Sequence, residues 1–168
     1  MAIIREEPDL RLAGLSIWVL GRQFADYDDY WDGNWLNVRV RVEATGAVVE
    51  AQGPIIHVSE LVTFATELER LDTTLVGNAS LKCTEPNLDV AIQGETHGHA
   101  TVRIKVTPDH MTQSHEFVFF IDQTYFKPLI AGCRKILSDY PIKGIRDSPR
   151  LWIIAAIVML SFVRNHSR

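Results

Sequence analysis

The clearest periodicity in the chain is a run of alternating positions. Leu36, Val38, Val40 and Val42 fall on one side, and Asn37, Arg39, Arg41 and Glu43 on the other. Period two turns one face to a core and the other to water, which predicts a strand. Thr45-Gly46 reads as a hairpin turn, and a return strand is expected from Ala47 to Gln52, ended by Gly53-Pro54. Upstream, Leu10 to Leu20 is rich in Leu, Ile, Val and Trp, and its alternation slips at Ala13-Gly14, the mark of a bulge or a turn. The period changes from Val58 to Leu71. Val58, Leu61, Val62, Ala65, Leu68 and Leu71 recur at helical spacing, with Ser59 as the expected N-cap and Glu60 and Glu67 on the polar side. Strand signals return at Ala79 to Cys83, at Leu88, Val90 and Ile92, and at Val102, Ile104 and Val106, the last two joined by a turn from Gly94 to Gly98. Pro108-Asp109 turns the chain again, and His115 to Ile121 is apolar enough to be a central strand. A second helix begins near Asp122 or Thr124. Phe126, Leu129, Ile130, Cys133, Ile136, Leu137 and Tyr140 form its apolar stripe, Pro128 fits its first turn, and Pro141 ends it.

Strands in hairpin-like runs, interrupted by one helix and closed by another, predict an α+β fold. The expected form is an antiparallel β-sheet of about six to seven strands with two amphipathic helices packed on one face. With 168 residues the chain suits a single domain over residues 1–145, followed by an apolar tail over 146–168. Within that tail, Leu151 to Val163 is apolar all round and bracketed by Arg150 and Arg164. Its 13 residues would span about 20 Å as a helix, short of the roughly 30 Å hydrocarbon core of a bilayer. The run therefore reads as an extra C-terminal helix, packed on the body or in a dimer contact, with a short membrane anchor as the alternative.

Charge sharpens this picture at one place. The formal net charge is −4, but residues 146–168 hold four of the 17 basic residues and one of the 21 acidic ones. The body is left with 13 basic and 20 acidic residues, a net of −7. An acidic body argues against nucleic acid as the main partner, and is compatible with a basic protein steered by opposite charge. The acidity is concentrated in Asp26-Tyr27-Asp28-Asp29-Tyr30-Trp31-Asp32-Gly33-Asn34-Trp35, which packs four carboxylates and four large aromatics into ten residues. Asp, Gly and Asn favour loops, while Tyr and Trp give rigid contact area at low entropic cost. Two readings stand side by side: a binding loop, or a solvated loop whose aromatics fold back to cap the core.

Other chemistry has less support. His97 and His99 could share one face of a strand, a geometry that metals use, but no further ligand stands at a credible spacing and Gly98 puts the pair in a turn. No Gly-x-Ser-x-Gly elbow and no glycine-rich phosphate loop occurs. The adjacent acids Asp28-Asp29 and Glu6-Glu7 read as solvated rather than catalytic. Arg39, Arg41, Arg103 and Lys105 would make a basic patch if their strands shared a sheet, or the solvated face of a sheet with acids opposite. Cys83 and Cys133 are far apart and outside any Cys-x-x-Cys spacing, so they read as reduced, small core residues. Met1 to Pro8 is too acidic and too short in apolar run for a secretory signal, and a cytoplasmic location is expected.

Three stretches in order, Asp29-Tyr30-Trp31-Asp32-Gly33-Asn34-Trp35-Leu36, Glu85-Pro86-Asn87-Leu88 and Phe119-Phe120-Ile121-Asp122-Gln123-Thr124-Tyr125, resemble the WapI-family immunity proteins. The resemblance covers about residues 10–143, and the run from Arg146 departs from it. It implies a non-catalytic bacterial protein without a cofactor or bound metal. Such a protein stays in the cytoplasm of the toxin-producing cell and neutralises a cognate polymorphic toxin domain, a nuclease in the founding case. An acidic inhibitor suits a basic nuclease surface. The expected partner contacts are then Asp26, Tyr27, Asp28, Asp29, Tyr30 and Asp32, with the aspartates as attraction and Tyr27 and Tyr30, together with Trp31, as buried anchors. Because a motif shared across a family is more often structural than partner-specific, Trp31 and Trp35 are expected in the core. The rival readings are a structural or interaction module, tethered to a membrane by its tail, and a metal-dependent enzyme using the histidines. The oligomeric state is not legible.

Overall fold

The computed structural model describes residues 7–145. Its chain runs β1 (Leu10–Leu12), β2 (Leu15–Arg22), β3 (Trp35–Ala44), β4 (Ala47–His57), α1 (Val58–Thr74), β5 (Gly77–Lys82), β6 (Leu88–Gly94), β7 (His99–Val106), β8 (Glu116–Asp122) and α2 (Phe126–Asp139). The class is α+β, but eight strands form two antiparallel four-stranded sheets, β1-β2-β3-β4 and β5-β6-β7-β8, in place of one sheet of six to seven. Each sheet is a meander followed by a helix, so one four-strands-then-helix unit occurs twice along the chain.

The difference has two local causes. The slip at Ala13-Gly14 is a turn, with Ala13 at φ 51°, and it divides the first apolar run into β1 and β2. And α1 carries the chain away from β4 before β5 begins, so β5 pairs only with β6. Gly53-Pro54 does not end β4 as expected; the strand continues to His57. The proline lacks an N–H to donate, which a sheet edge tolerates, and β4 is an edge strand with a bulge opposite Leu36 and Asn37. Likewise β8 is not central. Phe117, Phe119 and Ile121 point inward, while Val118 and Phe120 sit on the outer face of an edge, with Phe120 82% exposed.

The Thr45-Gly46 turn does join β3 to β4, with Gly46 in the left-handed region at φ 76°. Val38, Val40 and Val42 are fully buried, as are Leu68, Val102, Ile104 and Cys133, and the inner faces of both sheets share one apolar cluster with both helices. α1 packs along β5 and against α2, which lies on β1. Gly132 permits that last contact: a Cβ there would stand 2.8 Å from the Asp9 carbonyl oxygen and 2.7 Å from Leu10. Asp122 caps the short turn before α2 by accepting the Thr124 amide at 2.8 Å, which leaves Pro128 in the first turn as expected.

The predicted N-cap of α1 shifts. His57 takes that role: its Nδ1 accepts the Ser59 amide at 3.3 Å while Glu60 accepts the His57 amide at 2.9 Å, a capping box in which the imidazole replaces the usual hydroxyl. Glu60 also accepts the Thr84 amide at 2.7 Å, tying α1 to the loop after β5. No described helix is long and apolar enough to cross a membrane. The expected C-terminal helix at 151–163 lies outside the described residues.

Both cysteines are free thiols. Burial pushes Cys133 up to about 12, and burial with the nearby carboxylates of Glu60 and Asp89 raises Cys83 well above its ordinary value. Since the thiolate is the nucleophile, iodoacetamide at pH 8 should leave both thiols unmodified in the native chain over a time that labels both in denaturant. Rapid native labelling of Cys133 would contradict the packing. Gly132→Ala should lower stability by about 1–3 kcal/mol in urea denaturation, because the steric cost exceeds the gain in helix propensity. An unchanged or raised midpoint would show that α2 and β1 are not held this close.

Candidate functional site

The acidic-aromatic stretch is a loop between β2 and β3, and it is built from inside by one amide. Asn34 is fully buried. Its Nδ2 donates to the carbonyls of Tyr30 (2.7 Å) and Lys143 (2.8 Å), and its Oδ1 accepts the Lys143 amide (2.9 Å) and Arg22 (3.2 Å). A buried amide with both donors and both lone pairs engaged fixes the geometry of what surrounds it. Arg22 extends the network by donating to the carbonyls of Gly33 and Pro141, with its guanidinium 5.9 Å from the centre of the Tyr140 ring. Burial pulls Arg22 below its ordinary value, Tyr140 opposes that, and the group stays cationic.

The segment after α2 thus straps the loop from below. The Lys143 ammonium donates to the carbonyls of Ala25 (2.6 Å) and Tyr27 (3.0 Å) and lies 3.3 Å from an Asp28 carboxylate oxygen. Gly144, at φ 66°, lets the strap lie directly on the loop; a Cβ there would come within 2.5 Å of the Tyr30 amide nitrogen. Gly33 plays the matching part on the loop side, where a Cβ would meet the Tyr27 carbonyl at 2.6 Å.

The aromatics gather on His57, whose ring is almost wholly buried. Tyr30, Trp31 and Trp35 lie 5.3, 6.0 and 5.2 Å from it, centre to centre, and Trp35 is its direct cross-strand neighbour. With Nδ1 accepting from Ser59, Nε2 carries the hydrogen and donates to the Tyr30 carbonyl at 3.0 Å. One histidine therefore caps α1, closes the end of the first sheet and supports the loop.

Of the six predicted contact residues, three carboxylates face outward. Asp26 and Asp32 have no side-chain partner among the described residues, and Asp28 is exposed beside Lys143. Asp29 is used internally: its Oδ1 accepts the amides of Trp31 (2.9 Å) and Asp32 (2.8 Å) and starts the short turn Asp32–Asn34. Tyr27 is half-exposed and stacks on Phe24, while Tyr30 is partly buried between Trp31 and His57. Trp31 and Trp35 are not core residues as expected; Trp31 is 55% exposed and Trp35 partly so. Of the residues that hold the site together, Asn34 lies within the acidic-aromatic stretch, whereas Arg22, His57 and Lys143 carry no sequence signal beyond a polar residue at a strand end or after a helix.

The supposed basic patch is divided. Arg39 and Arg41 are on β3 of the first sheet, Arg103 and Lys105 on β7 of the second. Arg103 (2.5 Å) and Lys105 (3.6 Å) pair with Glu116, and Arg41 with Glu43 (3.1 Å) and Glu50 (3.9 Å). Only Arg39 lacks a carboxylate among these four; it lies over the Trp18 ring at 4.0 Å. His97 sits in the turn between β6 and β7 at φ 62°, and His99 begins β7. Among the described residues, no three or more of His, Cys, Asp and Glu group as they would to hold a metal ion.

Residues 9–141 match the Immunity protein WapI-like family. No curated protein and no solved structure matches the chain.

If Asn34 fixes the loop, Asn34→Ala should speed amide exchange at Trp31 and Asp32 by about tenfold or more, while β6 and β7 keep their protection. Equal loop rates in the two proteins would mean that the loop is held without the buried amide.

Proposed function

Because the chain belongs to the WapI-like immunity protein family, we propose that it neutralises a cognate toxin domain by binding it directly, without catalysis. The partner is a basic protein domain, with a nuclease as the fitting class, and the binding takes place in the cytoplasm of the cell that makes the toxin. No cofactor or metal takes part. Family membership supports the toxin-neutralising role.

The preorganised loop supports the choice of surface. Asp26, Asp28 and Asp32 project outward from a loop whose backbone is fixed by Asn34, Arg22 and Lys143. Carboxylates on a rigid frame lose little freedom when they meet lysines or arginines, so attraction is not spent on ordering. The half-exposed Tyr27 and Trp31 supply apolar contact beside the charges. Charge of this kind steers encounter and sets salt dependence, while the aromatics hold the complex once formed. Such a surface inhibits a nuclease by occupying the basic face that would hold phosphate.

The test uses the C-terminal domain of a toxin encoded beside this chain. Co-expression of the chain should rescue cells from that domain. The variant Asp26→Asn, Asp28→Asn, Asp32→Asn keeps Asp29, which the loop needs for its own turn. It should fold normally, bind about ten- to a hundredfold more slowly at low salt, and show a flatter dependence of association rate on ionic strength. A folded triple variant with the wild-type rate and salt slope would remove the loop carboxylates as the contact.

A further inference from the structure

The three described tryptophans are all outside the core. They gather on one side of the first sheet. Trp18 on β2, Arg39 on β3 and Gln52 on β4 are cross-strand neighbours on the face turned away from the core, and Trp35 and His57 close the end of that face beneath Tyr30 and Trp31. Leu20, the unpaired residue of the β2 bulge between Val19 and Gly21, is 55% exposed two residues along the strand from Trp18. The loop and this face are one continuous surface, and its Trp, Tyr and Arg content is that of the residues that carry most of the energy in protein interfaces.

The Arg39 guanidinium carbon lies over the Trp18 indole, 4.0 Å from the ring centre, and the group has no carboxylate or hydrogen-bond acceptor among the described residues. Arg39 Nε and Trp18 Nε1 are both shielded from solvent without an acceptor. Contact with the ring restrains the guanidinium beside open surface, and its planar fork is suited to a bidentate carboxylate contact. The neighbouring Arg41 is already shared between Glu43 and Glu50, and Arg11 pairs with Glu7, so among the described residues the uncompensated positive charge of this face is confined to Arg39.

We propose that the binding surface extends from the loop onto the outer face of the first sheet, where the Trp18–Arg39 stack receives a carboxylate of the partner protein and Leu20 and Trp35 are covered around it. This deepens, and rests on, the reading of the chain as a toxin-binding protein. The partner it fits carries two kinds of charge in adjacent places: basic groups opposite Asp26, Asp28 and Asp32, and an Asp or Glu beside an apolar contact opposite Arg39. Such an alternation also gives specificity, since a uniformly basic protein would leave Arg39 facing like charge in a desolvated contact.

The experiment is affinity measurement with the C-terminal domain of the toxin encoded beside the chain, using the full-length protein and variants whose fold is checked by circular dichroism. Arg39→Gln should weaken binding roughly 10–100-fold and Trp18→Phe several-fold, and Arg39→Lys should restore only part of the loss, because a lysine keeps the charge but not the fork. Leu20→Glu changes an exposed side chain, so it leaves the fold intact; it should weaken binding about a hundredfold or more by setting a carboxylate against the partner's own. Phe120→Glu, on the outer edge of the other sheet, should bind as wild type. Wild-type affinity in Leu20→Glu and Arg39→Gln, beside weakened binding in the triple aspartate variant, would overturn this extension and leave the immunity reading standing. Loss of binding in Phe120→Glu but not in Leu20→Glu would move the interface to β8 and overturn it as well. Absence of binding by the wild-type chain would overturn the immunity reading and this one together.

Discussion

The side-chain amide of Asn34 is where three distant parts of the chain meet. The strand end at Arg22 and the strap at Lys143 donate to it, it donates to the loop backbone at Tyr30 and to the strap, and Arg22 and Lys143 add bonds of their own between the same segments. A buried amide left half-satisfied costs about 1–3 kcal/mol per lost partner, so the arrangement is close to all-or-none. The loop half of the proposed surface follows from that constraint. Aspartates on a loose loop would point many ways; on this one, Asp29 is spent on the internal turn and Asp26, Asp28 and Asp32 are left facing outward. The strap also explains why a lysine sits under an acidic loop. Lys143 donates to two loop carbonyls and neutralises part of the charge that would drive the carboxylates apart.

His57 carries the same logic to the rest of the fold. Its backbone ends β4, its Nδ1 caps α1 and its Nε2–H holds the Tyr30 carbonyl. The loop is therefore coupled to the helix that bridges the two meanders. The aromatics that surround His57 belong to the end of the outer face of the first sheet, not to the core. That placement joins the acidic loop and the Trp18–Arg39 stack in one surface, with opposite charges at its two ends and aromatic area between them.

Much of the scaffold was legible in the sequence because periodicity reports burial. The alternation at Leu36 to Val42 and the helical stripe from Val58 to Leu71 became β3 and α1 almost as read. Periodicity reports one strand at a time, however, and says little about which edges pair. Two sheets and one sheet look alike in such a pattern, and the apolar residues on both faces of β8 read as burial when its outer pair lies at an exposed edge. Gly53-Pro54 has the local signal of a stop, yet β4 runs through it because an edge strand tolerates a missing N–H. At the site, composition located the loop but not its supports. Asn34, Lys143 and Gly144 act through contacts across more than a hundred residues, which no local pattern encodes. That shared motifs are structural points Trp31 and Trp35 inward. They are structural around His57 and partly exposed as well, since a large ring can pack on one side and present the other.

Hydroxyl-radical footprinting of the chain alone and bound to the toxin domain encoded beside it reads this surface directly, because it reports side-chain accessibility residue by residue. The account predicts that Tyr27, Trp31, Trp35 and Leu20 lose reactivity in the complex, while Phe120 and Met111, exposed elsewhere, keep theirs. Protection of Phe120 and Met111 with unchanged reactivity at Trp31 and Leu20 would contradict it.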